Sequence, residues 1–539
     1  MKKLVYHIFL PVIIIALFLP ACKKSFLDEK VYSSYAPQTL QDSLGFEASL
    51  SGLYNQLSQL YTTSDQQGWL SVWQVGTDIA YAAQQQQVEV PYYNYTLLNA
   101  DDRAAHDTWV WMYQLINNAN IIIQNADDPS LTGMTDANKK AVSGEAKFFR
   151  AYAYNTLATL FGPVPLVTEP LSAPKTDFVR APLDEVNKLI EQDLLFAATN
   201  LPDIDNVKAN SKGKMYSRAN KYMAMQLLAE AYLRMDKPAQ AEQQTQAIIN
   251  SGKFSLTTQR FGIKAGQPGD PFSDMFVYGN ERRSQGNREV IWVMEMENPA
   301  TVIGGITNSP QQRRVWVPAY YQINGLVITD SLGGRGIARL RLNDWVVYGL
   351  YEQKDMRNSP YNFRRHYWYN DPSKPDLLGK MVPYTGYDTI FRIAPSTTKW
   401  NQFDPNDVFG FAMIKDIILM RLGETYLLQA EAQFKQGKLA EAATSLNVIR
   451  QRANATPVTA SQVTLDYILD ERVRELVGEE NRRMTLMRTK KLVERAKRLN
   501  AVSPLNPLTG IDEHNELLPI PKSEIDLNKD AVLEQNPGY

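Results

Sequence analysis

Apolar residues return at every third or fourth position in several stretches of the chain, and this spacing predicts helices. Over Trp109 to Ile123, the residues Trp109, Met112, Tyr113, Ile116, Asn120 and Ile123 fall on one helical face. A second helix is predicted from Glu145 to Phe161. It ends at Gly162-Pro163, because glycine accepts a left-handed terminal conformation and proline cannot continue the hydrogen-bond ladder.

Two later segments look like copies of one another. Ala229-Glu230-Ala231 followed by Lys237, Ala239 and Ala241 matches Ala430-Glu431-Ala432 followed by Lys438, Ala440 and Ala442 at the same spacing. In the first copy Ala224, Leu227, Leu228, Ala231 and Tyr232 make a helix face, and a turn at Asp236-Lys237-Pro238 leads to a returning helix. In the second, Leu419, Leu422, Tyr426 and Ala430 make the face, Gly437 turns the chain, and Ala442, Leu446 and Ile449 line the return. Small residues at such positions let paired helices approach closely, and the segments resemble tetratricopeptide helix pairs. Residues 255–406, between the copies, change character: they are rich in Gly, Pro, Asn and aromatics, with one apolar run, Val290 to Met294, that reads as a strand. The expected fold is mainly α, a tetratricopeptide-like helix-pair scaffold interrupted by a long loop-rich insertion with short strands. Loop-rich segments on a rigid scaffold are where binding function tends to sit.

The N-terminus is a separate signal. Lys2 and Lys3 precede an apolar stretch, Leu4 to Leu19, which is shorter than the ~20 residues a spanning helix needs and is interrupted by Pro11 and His7. Leu19-Pro20-Ala21-Cys22 follows, and Cys22 is the only cysteine of the chain. A lone thiol after a small residue at the end of such a stretch points to a lipoprotein signal peptide over 1–21, with Cys22 acylated, and excludes an intrachain disulfide. Residues 22–41 then form a lipidated tether, 42–254 an N-terminal helical region, 255–406 the insertion and 407–539 a C-terminal helical region. Lys and Arg (57) nearly cancel Asp and Glu (58), which argues against a nucleic-acid partner. The densest charge, Glu471 to Arg498, mixes signs along two predicted helices, as solvated faces do.

Enzyme signatures fail. His106, His366 and His514 have no neighbour at metal-ligand spacing, and no G-x-S-x-G, Walker or G-x-G-x-x-G motif stands in the sequence, so no catalytic residue, metal or cofactor is assigned. Glu295 and Glu297 share one face of the predicted strand and read as a solvated or Arg-paired edge rather than an acid–base pair. The chain does offer aromatic rings interleaved with amides and carboxylates. Trp69 to Tyr95 holds Trp69, Trp73, Tyr81, Tyr92, Tyr93 and Tyr95 among Asp78, Gln84 to Gln87 and Asn94; the insertion adds Trp316, Tyr320, Tyr321, Trp345, Tyr367, Trp368, Tyr369 and Trp400. A sugar ring has an apolar C–H face and a hydroxyl rim, so its site wants a flat aromatic platform beside short polar groups. Rings in non-periodic stretches, such as Tyr92, Tyr93, Trp316 and Tyr320, suit that role better than helical Trp109 or Trp111.

A run of short motifs in order carries a family resemblance: Phe26-Leu27-Asp28, Gly76-Thr77-Asp78, Asn120-Ile121-Ile122, Glu145 to Ala151 with Phe161-Gly162-Pro163-Val164-Pro165, and Lys399-Trp400. Arg421 to Leu428 with Glu431-Ala432, Glu471 to Leu476 with Gly478-Glu479, and the tail from Leu518-Pro519-Ile520-Pro521 to Asn536-Pro537-Gly538-Tyr539 complete it. The chain resembles the SusD/RagB outer-membrane lipoproteins over nearly its whole mature length. The resemblance implies a lipid-anchored, surface-facing protein that caps a SusC-type TonB-dependent transporter and hands it an oligosaccharide. It also implies ligand contacts from the loop after Gly76-Thr77-Asp78 and from the insertion, which selects Asp78, Tyr81, Tyr92, Tyr93, Asn94, Trp316 and Tyr320 as candidate ligand residues. Three rivals stay open: a peptide-binding RagB-like component, a secreted glycoside hydrolase, and a scaffold that binds protein alone.

Overall fold

The computed structural model describes residues 40, 42–62, 70–84, 88–210, 213–214, 216–302, 305, 310–410, 413–500 and 506–539. The signal peptide, Cys22, Trp69 and the glutamines at 85–87 lie outside the described residues.

Helix α1 (Ser43–Thr62) packs on α2 (Arg103–Ala126) and α3 (Asp136–Phe161). The boundaries have local causes. The carboxylate of Asp102 accepts the Ala105 backbone N–H at 2.7 Å and so caps α2, and Thr135 caps α3. At its other end α3 stops at Gly162, whose φ of +74° is open to glycine. The helical stack then grows by neighbours: α4 (Leu183–Asn200) lies on α3, α5 (Lys221–Arg234) on α4, and α6 (Pro238–Asn250) on α5. Arg150 on α3 pins this start, reaching Asp193 on α4 through two 2.8 Å hydrogen bonds and Asn120 on α2 through one of 2.9 Å.

The second copy, α7 (Leu422–Lys435) and α8 (Leu439–Arg452), packs onto the first despite the sequence that separates them. Its α7 lies directly against α6, and Glu242 of α6 accepts Gln433 Nε2 at 3.0 Å and Lys438 Nζ at 2.6 Å. Ala229, Ala231, Ala241, Ala430, Ala432 and Ala442 are all fully buried, so the small positions of both copies sit where the helices meet. One residue departs from the expectation. Leu419 belongs to a strand, because the run Ile417–Arg421 pairs antiparallel with Val290–Met294 and the helix begins only at Leu422.

The strands tie the insertion down. β1 (Ala80–Ala82) pairs with β3 (Leu340–Leu342), β2 (Val290–Met294) with β6 (Ile417–Arg421), and β4 (Phe363–Arg364) with β5 (Ser396–Thr397), all antiparallel. The charge-rich stretch overturns its expected role. In α9 (Leu465–Leu476), α10 (Arg482–Arg488) and α11 (Leu492–Leu499), Glu471, Arg472, Glu475, Arg482, Arg483 and Arg495 are buried rather than solvated. Burial of so much charge is tolerated because these groups are ion-paired or, for Arg483, hydrogen-bonded to the Val72 and Val75 carbonyls and the Tyr95 hydroxyl. Arg421 meets Glu289 at 2.7 Å and Glu479 at 2.6 Å, Arg450 meets Glu471 at 2.7 Å, and Arg488 meets Glu431 at 2.6 Å. Arg357, Arg474 and Arg450 together hold the Glu471 carboxyl down to about 2 against its burial.

Candidate functional site

Most of the aromatic residues expected to meet ligand are part of the foundation. The Tyr92 ring is fully buried, with its hydroxyl donating to Asp102 at 2.7 Å. Tyr320 is equally buried; its hydroxyl donates to the Gly334 carbonyl at 2.8 Å and its ring stacks on Tyr367 at 5.9 Å and 28°. Tyr93 and Trp316 are buried as well, and Asn94 is half-buried, its side-chain oxygen accepting from Thr96 and Thr509. Asp78 has no exposed surface. Its carboxylate receives two hydrogen bonds from Arg482, at 2.9 and 2.6 Å, and one from Arg495 at 2.7 Å, so every oxygen is committed to the protein. Asp78, Tyr92 and Tyr320, expected at a ligand surface, thus sit inside the protein: loops without helical periodicity still fold over a core of their own, with Val317, Leu326, Tyr367, Val382 and Ile393 around Tyr320.

The two regions nevertheless converge. The Asp78 backbone carbonyl accepts Asn343 Nδ2 at 2.8 Å and Trp345 Nε1 at 2.6 Å, and β1 places Tyr81 opposite Arg341. The Arg341 guanidinium lies 5.6 Å from the Tyr81 ring centre and pairs with Asp344 at 2.6 Å. Burial pushes the Tyr81 phenol up to about 12 against the pull of that guanidinium.

Beside this seam, a different set of rings faces solvent. Residues 366–382 form a hairpin: Val382 N–H donates to the Tyr367 carbonyl at 2.8 Å, Tyr369 N–H to that of Lys380 at 2.9 Å, and Trp368 bridges Met381. Side chains alternate across such a ribbon. Tyr367 and Val382 therefore point into the Tyr320 cluster, while His366, Trp368 and Met381 point out. Trp368 is 52% and Met381 54% exposed, and both are far beyond what packing alone requires of large apolar groups. His366 stands edge-on between Trp368, at 6.3 Å, and Tyr384, at 6.1 Å. The Tyr384 hydroxyl accepts that of Tyr348 at 3.0 Å, and Tyr348, 51% exposed, comes from the short helical turn Trp345–Gly349 just after the Asp78 seam. Tyr348 also forms one wall of a surface cleft of about 500 Å³, whose rim includes Gln353, Lys354, Asn358, Ser359 and Arg365. An exposed row of rings beside amide, hydroxyl and cationic groups is the combination a saccharide needs.

Other concavities fit a ligand less well. The cavity inside the scaffold measures about 130 Å³, below the several hundred Å³ of small-molecule sites, and its charged wall is self-paired, with Arg472 on Glu424 at 2.9 Å and on Glu480 at 2.8 Å. A groove of about 590 Å³ between α1 and α2 carries amides, but its Trp109 is buried and offers no open face. Glu295 and Glu297, the candidate acid pair, both bind Arg282, at 3.1 and 2.9 Å, together with Asp416 at 2.7 Å. Among the described residues no group of three or more His, Cys, Asp or Glu is arranged to hold a metal ion, and no helix is long and apolar enough to cross a membrane.

Of the outward rings, Trp368 stood among the aromatics of the insertion, whereas His366, Tyr348 and Tyr384 were missed. The alternation His366, Tyr367, Trp368 was the available signal, since it reads as one strand with opposite faces.

Comparison with known proteins gives a consistent picture. The family model described as "Starch-binding associating with outer membrane" matches residues 25–233, and the one described as "SusD family" matches residues 395–539. A SusD-like protein of Formosa agariphila is 26% identical over 96% of both chains, and the starch-binding protein SusD of Bacteroides thetaiotaomicron is 35% identical over 23% of this chain and 22% of its own. Among solved structures, a laminarin-binding SusD-like protein superposes with a TM-score of 0.67 at 22% identity, covering 93% of this chain and all of that one. Surface glycan-binding protein A from Bacteroides thetaiotaomicron gives 0.71 at 18% identity with the same coverage.

Proposed function

The chain belongs to the SusD/RagB family, and from that membership we propose that it is a non-catalytic oligosaccharide-binding lipoprotein of an outer-membrane uptake system. In this reading Cys22 carries the lipid, the body faces the outside of the cell, and bound glycan passes to a SusC-type TonB-dependent transporter. The observation that carries it is the row Tyr348, Tyr384, His366 and Trp368, with Tyr348, His366 and Trp368 exposed and Tyr384 half-buried on the Tyr320 cluster. Stacking such a row against the apolar faces of successive sugars binds without any bond being broken. The descriptions of the relatives, one starch-binding and one laminarin-binding, point the same way.

An aromatic surface favours glycan over peptide, because an extended peptide would be held mainly by backbone hydrogen bonds along a strand edge. The carboxylates of this region speak against hydrolysis: Asp344 is paired with Arg341, Asp355 with Arg357, and Asp388 with Arg392 at 2.8 Å. A screen of purified polysaccharides by affinity electrophoresis tests the reading. At least one neutral or acidic polysaccharide should retard the protein, Trp368→Ala should reduce the retardation, and prolonged incubation should release no smaller product. Retardation that survives both Trp368→Ala and Tyr348→Ala would remove the site from this surface. Cys22→Ser should free the protein from the membrane fraction when it is made without its transporter.

A further inference from the structure

The cleft beside Tyr348 carries more positive than negative charge on its rim. Its charged rim consists of Lys354, Arg365 and Asp355. Asp355 is spent: only 2% exposed, it accepts Arg357 Nε at 3.0 Å, Nη2 at 2.8 Å and the Arg357 backbone N–H at 2.9 Å. Lys354 is exposed and forms no ion pair among the described residues; its sequence neighbour Asp355 is held by Arg357, and Glu352, although it feels the Lys354 charge, is bound by Arg450 and Thr456. Arg365 binds only neutral acceptors. Its Nε and Nη2 donate to the Val347 carbonyl at 3.1 and 2.7 Å, Nη2 also to Asn358 Oδ1, and Nη1 to the Asn358 carbonyl at 3.2 Å. That leaves one of the five guanidinium N–H groups, on Nη1, for another acceptor. Behind the wall, Asp270 accepts from Ser359 and Asn362 and lies within electrostatic reach of Arg260, which pairs with Asp274.

At the opposite end of the aromatic row the charges cancel. The hairpin tip bears Lys374 and Lys380 together with Asp371 and Asp376. The excess of positive charge is therefore local to the cleft rather than a property of the whole face. In a concave site two cations without a direct carboxylate partner favour an anion over water more strongly than they would on a flat surface.

We infer that the saccharide taken by this site is acidic, with a carboxylate or a sulfate ester seated between Lys354 and Arg365 while the neighbouring sugars lie on Tyr348, Tyr384 and Trp368. This rests on the reading of the aromatic row as the glycan site, and the test separates the two. Titration calorimetry of the soluble body with an oligogalacturonate, a sulfated galactan oligosaccharide and a neutral β-glucan oligosaccharide, each at low and high salt, gives the comparison. At least one of the acidic probes should bind more tightly than the neutral one, and its affinity should fall as salt rises; which one binds distinguishes carboxylate from sulfate. Lys354→Glu, a change at an exposed side chain, should weaken the acidic probe by about threefold to tenfold at an unchanged melting temperature. Equal or tighter binding of the neutral probe, salt-independent affinity, or binding of none of the three overturns the acidic ligand. If Lys354→Glu has no effect but Trp368→Ala weakens binding, the acidic assignment fails and the aromatic site stands. If Trp368→Ala leaves acidic binding intact, the aromatic site itself fails.

Discussion

Tyr367 and Trp368 are neighbours in sequence with opposite duties, since the ribbon sends one ring into the Tyr320 cluster and the other into solvent. Their replacements should separate cleanly. Trp368→Ala removes a stacking face and should cost binding about 1–2 kcal/mol, roughly five- to thirtyfold in affinity, with no change in melting temperature. Tyr320→Ala opens a cavity under the same hairpin and should cost about 3–5 kcal/mol of stability, seen first in a thermal melt. A Trp368→Ala protein that melts early would mean that this ring is core after all. A second residue-scale effect concerns Glu295, whose carboxyl burial raises to about 7 although Arg282 opposes the shift. Between the ordinary carboxyl range and pH 7 the folded state holds a proton that the unfolded state has lost, so stability contributed by this group declines as pH rises through that window. Glu295→Gln cannot ionise and should flatten the decline, so its melting temperature should gain on the parent's between about pH 5 and pH 7.5. Parallel curves across that window would rule out the shift.

At the scale of elements, what the sequence revealed depended on how local the cause was. Helix periodicity and stops such as Gly162 depend on residues a turn apart, and α2 and α3 appear where spacing puts them. The two helix-pair copies were visible by their alanines, but their mutual contact was not, because α6 and α7 meet only after the insertion has folded back. The same holds for the charges of α9 to α11: mixed signs look solvated until partners from distant elements, such as Glu289 for Arg421, arrive. The burial of candidate rings in the loops was hidden for a related reason, since a loop of this length builds its own small core around residues such as Tyr320 and Tyr367. The scaffold offers a direct test. Leu446 on α8 is fully buried among Leu427, Ala430 and Ile468, so Leu446→Asp would strand a charge without a partner and should cost several kcal/mol. Chemical denaturation of the purified variant checks this, and a midpoint equal to the parent's would show that the second copy does not carry the core.

The whole molecule is closed by contacts between its two ends. Asp78, just before β1, lies at the centre of a buried fork formed by Arg482 of α10 and Arg495 of α11, while its own carbonyl holds Asn343 and Trp345 of the insertion. One residue thus joins the N-terminal loop, the C-terminal helices and the segment that carries Tyr348. Asp78→Asn keeps the shape but removes the charge, leaving two guanidiniums buried against a neutral amide; such losses cost about 3–5 kcal/mol. Because all three regions meet there, the variant should unfold earlier in a single calorimetric transition, with the aromatic surface lost together with the helices. The intact hydrogen bonds from Arg495 to Asp466 and Asp470, at 2.7 and 2.5 Å, limit the damage on the C-terminal side, so a folded fraction should remain in which glycan affinity can be measured. In that fraction binding should weaken, because the Asp78 backbone carbonyl that holds Trp345, and with it the Tyr348 turn, is no longer fixed by the charged side-chain fork. Two separated transitions, or early melting with affinity unchanged, would show that the site is supported by the insertion alone rather than by the closure of the chain upon itself.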